Sequence, residues 1–351
     1  MLNHITIMRT VAVILVLIFH FDNELLISGY IGVDIFFVIS GYLIASIALK
    51  RINDKESLKQ FYIKRVMRIY PVLLFVSFSV IFVLSLIEYL EIETLQMFRD
   101  TIVLYSNFKA EKINLDYFGN NNNNYLLHLW SISIELQFYL MFPLLMLSSK
   151  IKNNIFFVTI GLIIASVVIL LSQELSYYNS LGRMLAFSSG ILAFLLSSKV
   201  KSNNYIFFAS LVILVILSFV DMDIKTYPNY NNLIVVFTAI IALLFGKITQ
   251  EKRYKPFIFI GIISYSIYLW HYPLFLFFHH LNIESDIINV GLLVTGLLIL
   301  SVFSYYIIEK RFTQKNYANY TLLFIIIPLL CLIFITYYKK NQTLNIPIIN
   351  K

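Results

Sequence analysis

The sequence predicts an all-α integral membrane protein: a polytopic bundle of about ten core transmembrane helices plus an eleventh, with a cytoplasmic N-terminus. Three observations carry this. Of 351 residues, 59% are hydrophobic and only 13% are charged, about half the roughly 25% of a soluble domain, and the mean hydropathy is +0.80. Long apolar runs alternate with polar clusters. Lysine and arginine collect in every second cluster. A soluble fold must cover its exterior with polar groups, so an ordinary soluble enzyme, a disordered chain and a disulfide scaffold are all excluded.

The elements follow in order. The first helix, 5–21, resembles a signal peptide in length but contains Arg9 and lacks a small-residue cleavage site, so it is read as a retained span. Further helices are expected over 28–49, 70–90, 125–148, 155–172, 181–198, 205–220, 231–246, 257–280, 287–308 and 321–338. The stretch 95–106 holds Arg99 and Asp100. It is too short to span and is expected to be interfacial or re-entrant. The run Asn120–Asn124 is low in complexity and expected to be an external loop.

Loop charges set the expected orientation. With the N-terminus inside, the 50–69 loop and the loops holding Lys150, Lys199, Lys252 and Lys310 face the cytoplasm. The intervening loops are acidic or neutral, as the positive-inside rule requires. Lys339 and Lys340 are the exception. The net charge of +8 is therefore an orientation signal rather than a nucleic-acid footprint. A single cysteine, Cys331, precludes an internal disulfide and a structural thiolate-metal site. HxxH, HExxH, GxSxG and Gly-rich phosphate-loop patterns are absent from the sequence.

Ionisable side chains inside spans are costly and mark function by default. Arg9 and His20 share a face of the first helix, ~16 Å apart along its axis. Each alone has a bland reading, a snorkelling anchor and a core histidine. Asp34 lies in the second span among Gly29, Gly32, Ser40 and Gly41. The small residues suit close helix packing, but the carboxylate demands a partner or a hydrated cavity. Arg65 and Arg68 share a face just below the membrane. A topological or lipid-contact role and an anion site weigh equally there, since guanidinium forks suit phosphate. His128, Ser131 and Glu135 form one polar stripe, with Glu135 ~15 Å deep. Ser264, Tyr268 and His271 share a face of the ninth span, while Arg183 and Glu309 read as weaker, boundary candidates. On this topology His20, Asp34, Glu135 and His271 fall in the outer half of the bilayer, Arg65 and Arg68 at the inner surface, and Arg9 between.

Six motifs in order resemble the membrane-bound acyltransferase 3 family of the O-antigen acetylase type. They are Arg9-x10-His20, GVDIFFVISGYLI at 32–44, KRVMRIYP at 64–71, LLHLWSISIELQFYLMFPLL at 126–145, ISYSIYLWHYPL at 263–274 and SYYIIEKRF at 304–312. The resemblance covers about residues 1–315 and implies a transmembrane acyltransferase domain there. It implies O-acylation of surface carbohydrate in the bacterial cytoplasmic membrane, with a cytoplasmic acyl-CoA, chiefly acetyl-CoA, as co-substrate and no metal. It marks Arg9 and His20 as the essential pair, Arg65 and Arg68 as the cytoplasmic Arg-x-x-Arg, and Glu135 as the WSxxxE glutamate. Many relatives continue past an eleventh span into an external SGNH-type domain. Here 316–351 is expected to be only that span and a short tail, which leaves room for a separate SGNH-type partner.

The expected mechanism has Arg65 and Arg68 holding the donor's phosphates, and His20 acting as general base or transient acyl carrier. Arg9 contacts the donor or fixes the active geometry. Glu135 orients His20 as a triad carboxylate does. Asp34 and His271 complete the polar constellation. The expected partners are the acyl-CoA, a lipid-linked or surface carbohydrate, and membrane lipids; nucleic acid is not among them. The rival reading is a proton-coupled transporter of a polysaccharide-related substrate, against which stand the lack of an inverted repeat and of a Gly/Pro-broken helix pair.

Overall fold

The computed structural model describes residues 3–113, 124–172, 175–223, 226–249 and 251–314, and among these every regular element is helical. The helices are α1 (Asn3–Phe21), α2 (Ile31–Arg51), α3 (Lys55–Leu86), α4 (Ile92–Ile102), α5 (Ser106–Lys112), α6 (Trp130–Leu145) and α7 (Ser149–Asn153). They continue with α8 (Ile155–Ser172), α9 (Ser180–Leu196), α10 (Asn204–Leu217), α11 (Asn231–Phe245), α12 (Lys255–His280), α13 (Ile287–Ser304) and α14 (Lys310–Gln314). Short 3-10 turns at Leu127–Leu129 and Glu251–Tyr254 lead into α6 and α12, and a π-turn at Tyr305–Glu309 joins α13 to α14.

Among the described residues, six helices are long and apolar enough to cross a membrane: α1, α2, α3, α8, and the helical stretches Lys252–His280 and Ile287–Thr313. Helices α9, α10 and α11 are apolar but shorter. The helix expected over 321–338 lies outside the described residues, as do the rest of 316–351 and all of the asparagine run but Asn124. Asn124 itself is buried, and its side-chain carbonyl accepts from the Leu126 N–H at 3.2 Å.

Two boundaries differ from expectation. The basic 50–69 segment is not a loop. It is mostly the first half of α3, which runs 32 residues without interruption. Asp54 caps it by accepting from the Ser57 N–H at 2.8 Å, while Ser57 Oγ accepts from the Asp54 N–H at 3.2 Å. That reciprocal capping box starts the helix. Lys and Arg are good helix formers, and polarity shows only that a segment leaves the hydrocarbon, not that it leaves the helix. The fourth span also starts later than residue 125. His128 sits in the 3-10 turn before α6, so it does not continue the stripe of Ser131 and Glu135 along one α-helix.

The centre of the bundle is α1, α2, α9 and α12, whose inward faces are almost wholly buried. Close approach here depends on missing Cβ atoms. A Cβ on Gly41 would collide with the Phe187 carbonyl oxygen, and one on Gly190 with that of Val38. Helices α2 and α9 thus meet through reciprocal glycines. A Cβ on Gly261 would likewise strike the Thr6 carbonyl oxygen, so α12 lies directly against α1. The Thr10 hydroxyl crosses this seam to the Phe257 carbonyl. By contrast α8, α10 and α13 expose Phe157, Ile164, Leu171, Val212, Ile216, Leu292 and Ile299. Such an outward apolar belt is stable only against lipid.

Candidate active site

A cavity of about 780 Å³, counting its open mouth, lies between α1, α2, α3, α6 and α12. Arg9 from α1, Arg65 and Arg68 from α3, and Glu135 from α6 all line it, with Ser40, Ser131, Tyr139, Ser264, Tyr265 and Tyr268. The expected separation of Arg65 and Arg68, at the inner surface, from Arg9 therefore does not hold. The half of α3 read as a loop carries both arginines up beside α1. Arg9 thus lines one cavity with Arg68 and Glu135.

Each wall group is held by its neighbours. Glu135 accepts from the hydroxyls of Ser40 at 2.5 Å and Tyr139 at 2.6 Å. The Arg65 guanidinium lies over the rings of Tyr139 at 4.9 Å and Phe61 at 5.4 Å, cation–π contacts that orient it. Arg65 is buried, whereas Arg9, Arg68 and Glu135 are half-buried. Glu309, read from the sequence as a boundary residue, is only 5% exposed. It ends the π-turn, and its carboxylate accepts from Ser266 Oγ at 3.2 Å. Three guanidinium groups thus share a cavity with one carboxylate in its wall and a second close by. The surplus is positive, which suits an anionic ligand.

A second cluster adjoins the cavity. The His20 ring lies 5.4 Å from that of His271 and 5.2 Å from that of Tyr272. His128 lies 5.5 Å from His271. His271 and His128 are fully buried, while His20 is half-buried. Tyr268 links the two regions. Its ring packs 5.1 Å from His271, and its hydroxyl meets that of Ser131, on the cavity wall, at 2.7 Å. Glu135 does not take the triad position expected of it, because its hydrogen bonds go to Ser40 and Tyr139. His271 and Tyr272, both from α12, are among the rings beside His20.

Asp34 is not brought to this cavity. It is fully buried against Arg183, also fully buried. The Arg183 Nη1 donates to Oδ1 at 2.9 Å and to Oδ2 at 3.1 Å. Tyr227 donates its hydroxyl to Oδ2 at 2.7 Å, and Arg183 Nη2 donates to the Tyr177 carbonyl at 2.6 Å. The pair ties α2 to α9 and to the 177 and 227 segments. Among the described residues, no group of three or more His, Cys, Asp and Glu side chains is arranged to hold a metal ion.

Sequence reasoning missed Tyr139, Ser40, Tyr265 and the partnership of Arg183. Tyr139 had a signal, since it follows Glu135 by four residues and shares its helix face. The others meet only across helices.

Comparison with known proteins agrees with the six motifs. The model of an acyltransferase domain, acyltransferase type 3, matches residues 2–310. O-acetyltransferase OatA of Staphylococcus aureus strains NCTC 8325 / PS 47 and COL is 33% identical over 357 aligned residues, covering 90% of this chain and 58% of the relative. The chain thus spans less than two thirds of the length of these relatives. No solved structure matches the chain. With the family's model matched from residue 2 to residue 310, the chain belongs to the acyltransferase 3 family.

Proposed function

We propose that this protein transfers an acyl group, acetyl in the first instance, from a cytoplasmic acyl-CoA to a hydroxyl of a cell-surface carbohydrate, working in the bacterial cytoplasmic membrane with its N-terminus inside. O-antigen, lipopolysaccharide and other exopolysaccharides are the acceptor classes. The observation that carries this reading is the shared cavity: Arg9, Arg65 and Arg68 line one pocket that adjoins the paired rings of His20 and His271. A guanidinium cluster in a confined site recognises phosphate by charge-assisted, bidentate hydrogen bonds. Acetyl-CoA offers such phosphates on a long flexible arm that ends in a thioester. The names of the relatives, O-acetyltransferases, supply the acyl chemistry.

In this mechanism Arg65 and Arg68 hold the donor's phosphates and Arg9 contacts the donor between them and the histidines. The acceptor hydroxyl approaches His20, which takes its proton. The hydroxyl oxygen bonds to the thioester carbon, and the carbon–sulfur bond then breaks. The thiolate leaves with that electron pair and recovers the proton from the imidazolium. Glu135, held by Ser40 and Tyr139, balances the arginines and keeps the cavity wall in register. Asp34 braces the scaffold.

The test is reconstitution of the purified protein in proteoliposomes with radiolabelled acetyl-CoA and a candidate carbohydrate. Label on the carbohydrate is the expected result. A transporter would move substrate while leaving the acetyl group on its carrier, and a scaffold would do neither. Full transfer by His20→Ala protein would remove His20 from the chemistry.

A further inference from the structure

Arg65 is the buried guanidinium of the cavity, only 8% exposed, and a buried cation needs something to hold it. Among the described residues it makes no ion pair. Those present join Arg99 and Lys109 to Asp100, and Arg183 to Asp34. What lies against Arg65 is aromatic. Its Cζ stands 4.9 Å from the centre of the Tyr139 ring and 5.4 Å from that of Phe61, and both rings are buried. Arg65 donates no side-chain hydrogen bond to a described group, yet none of its nitrogens is sealed off. They open onto the cavity it lines.

A ring holds an arginine differently from a carboxylate. A carboxylate occupies N–H groups of the fork and offsets the charge. An aromatic face attracts the cation through its quadrupole and takes no N–H donor. Charge and fork both stay available to a ligand. The acid in the same wall is meanwhile engaged elsewhere. Glu135 Oε1 accepts from the Tyr139 hydroxyl at 2.6 Å and from Ser40 Oγ at 2.5 Å. Tyr139 therefore gives its hydroxyl to the carboxylate and its face to the cation. The hydroxyl also lies 3.2 Å from Ser40 Oγ, so groups of both α6 and α2 fix the ring on which Arg65 rests.

We propose that Tyr139 is a positioning residue for the donor: it acts through Arg65, its ring holding the guanidinium in the cavity wall with charge and N–H fork free for a phosphate of the acyl-CoA. The role rests on the proposed acyl transfer from that donor. It explains how a bundle keeps a nearly buried arginine ready for an anion without an internal carboxylate competing for it. Tyr139 touches neither the thioester nor the acceptor hydroxyl in this role. Its loss is therefore a loss of donor binding, equal before and in the transition state, and appears in KM rather than in kcat.

The test measures acetyl-CoA affinity of the full chain in detergent by calorimetry, and transfer in proteoliposomes. Tyr139→Leu should weaken acetyl-CoA binding about 5- to 30-fold, the worth of a desolvated cation–π contact, with kcat at saturating donor within about 3-fold of wild type. Tyr139→Met, as flexible filler, gives the same reading should the Leu variant not fold. Tyr139→Phe keeps the ring and should lose no more than about 3-fold. In Arg65→Ala protein, Tyr139→Leu should cost less than about 2-fold more, because a contact already removed cannot be lost twice. Transfer from S-acetylpantetheine, which has the thioester but no phosphate, should change less than about 2-fold in Tyr139→Leu protein.

The role is overturned if the Leu and Met variants bind acetyl-CoA as wild type does, if the Phe variant is as weak as they are, or if the Arg65 and Tyr139 losses multiply. It is overturned as well if transfer from S-acetylpantetheine falls as far as that from acetyl-CoA, since the defect would then not lie in phosphate binding. A wild-type chain that binds no acetyl-CoA would refute the proposed donor and the role with it. Wild-type binding that the Tyr139 variants leave unchanged would refute the role alone.

Discussion

Replacing Asp34 with alanine isolates the largest single electrostatic commitment in the bundle. The substitution leaves Arg183, with 0% exposure, as a buried cation whose bonds of 2.9 and 3.1 Å to the carboxylate are gone. Breaking a buried pair from one side costs about 3–5 kcal/mol. The Tyr227 hydroxyl also loses its acceptor, adding about 1 kcal/mol. Against a total stability of about 5–15 kcal/mol this is a large fraction. The thermal unfolding midpoint in detergent should fall by on the order of 10 °C.

The double variant Asp34→Leu with Arg183→Met removes both charges and should recover most of that loss, since apolar replacement of a buried pair is often neutral or stabilising. A stable double variant that still transfers acetyl identifies the pair as a brace between α2 and α9. A stable but inactive double variant would instead give Asp34 a chemical role. An unchanged midpoint in the single variant, or a double variant as weak as the single, refutes the electrostatic reasoning.

Other substitutions probe the remaining parts. Arg65→Ala should weaken acetyl-CoA binding about 10- to 100-fold, the worth of one charge-assisted contact; calorimetry in detergent reads this, and unchanged affinity would detach Arg65 from the donor. Gly261→Ala places a methyl group against the Thr6 carbonyl oxygen and should part α12 from α1, lowering transfer at least ~10-fold through misplacement of His271. A variant with native activity would show that this seam does not position the histidines. At the exposed start of α3, the Ser57 backbone N–H and hydroxyl hold the Asp54 carboxyl below its usual range. Its folded pKa is depressed, so its contribution is present above about pH 4 and is lost as pH falls through the folded value. The stability difference between wild type and Asp54→Ala should therefore shrink as pH is lowered towards 3; a constant difference would exclude the charged cap.

Apolar run length and loop charge are local properties, and they made the membrane class and the order of helices legible. They also placed the helix containing His20, the one containing Asp34, and the one carrying Tyr268 and His271. They mistook the start of α3, because a charged helix leaving the hydrocarbon has the composition of a loop. The residue types of the site were legible as well. Arg9, His20, Arg65, Arg68, Glu135 and His271 stand out because the membrane penalises them wherever they are not used.

What the sequence by itself determined was therefore the solvent of the protein and the short set of polar side chains that this solvent makes expensive. Which of them meet was decided only by tertiary structure. Asp34 finds Arg183 across 149 residues, Arg9 shares a cavity with the arginines of α3, and His20 faces His271 rather than Glu135. The physical reason is that hydrophobicity drives helices into lipid without choosing their neighbours. That choice rests on close packing at a few small residues, such as Gly41 against Phe187 and Gly261 against Thr6, which set the rotation of each helix and so the direction of every charge it carries.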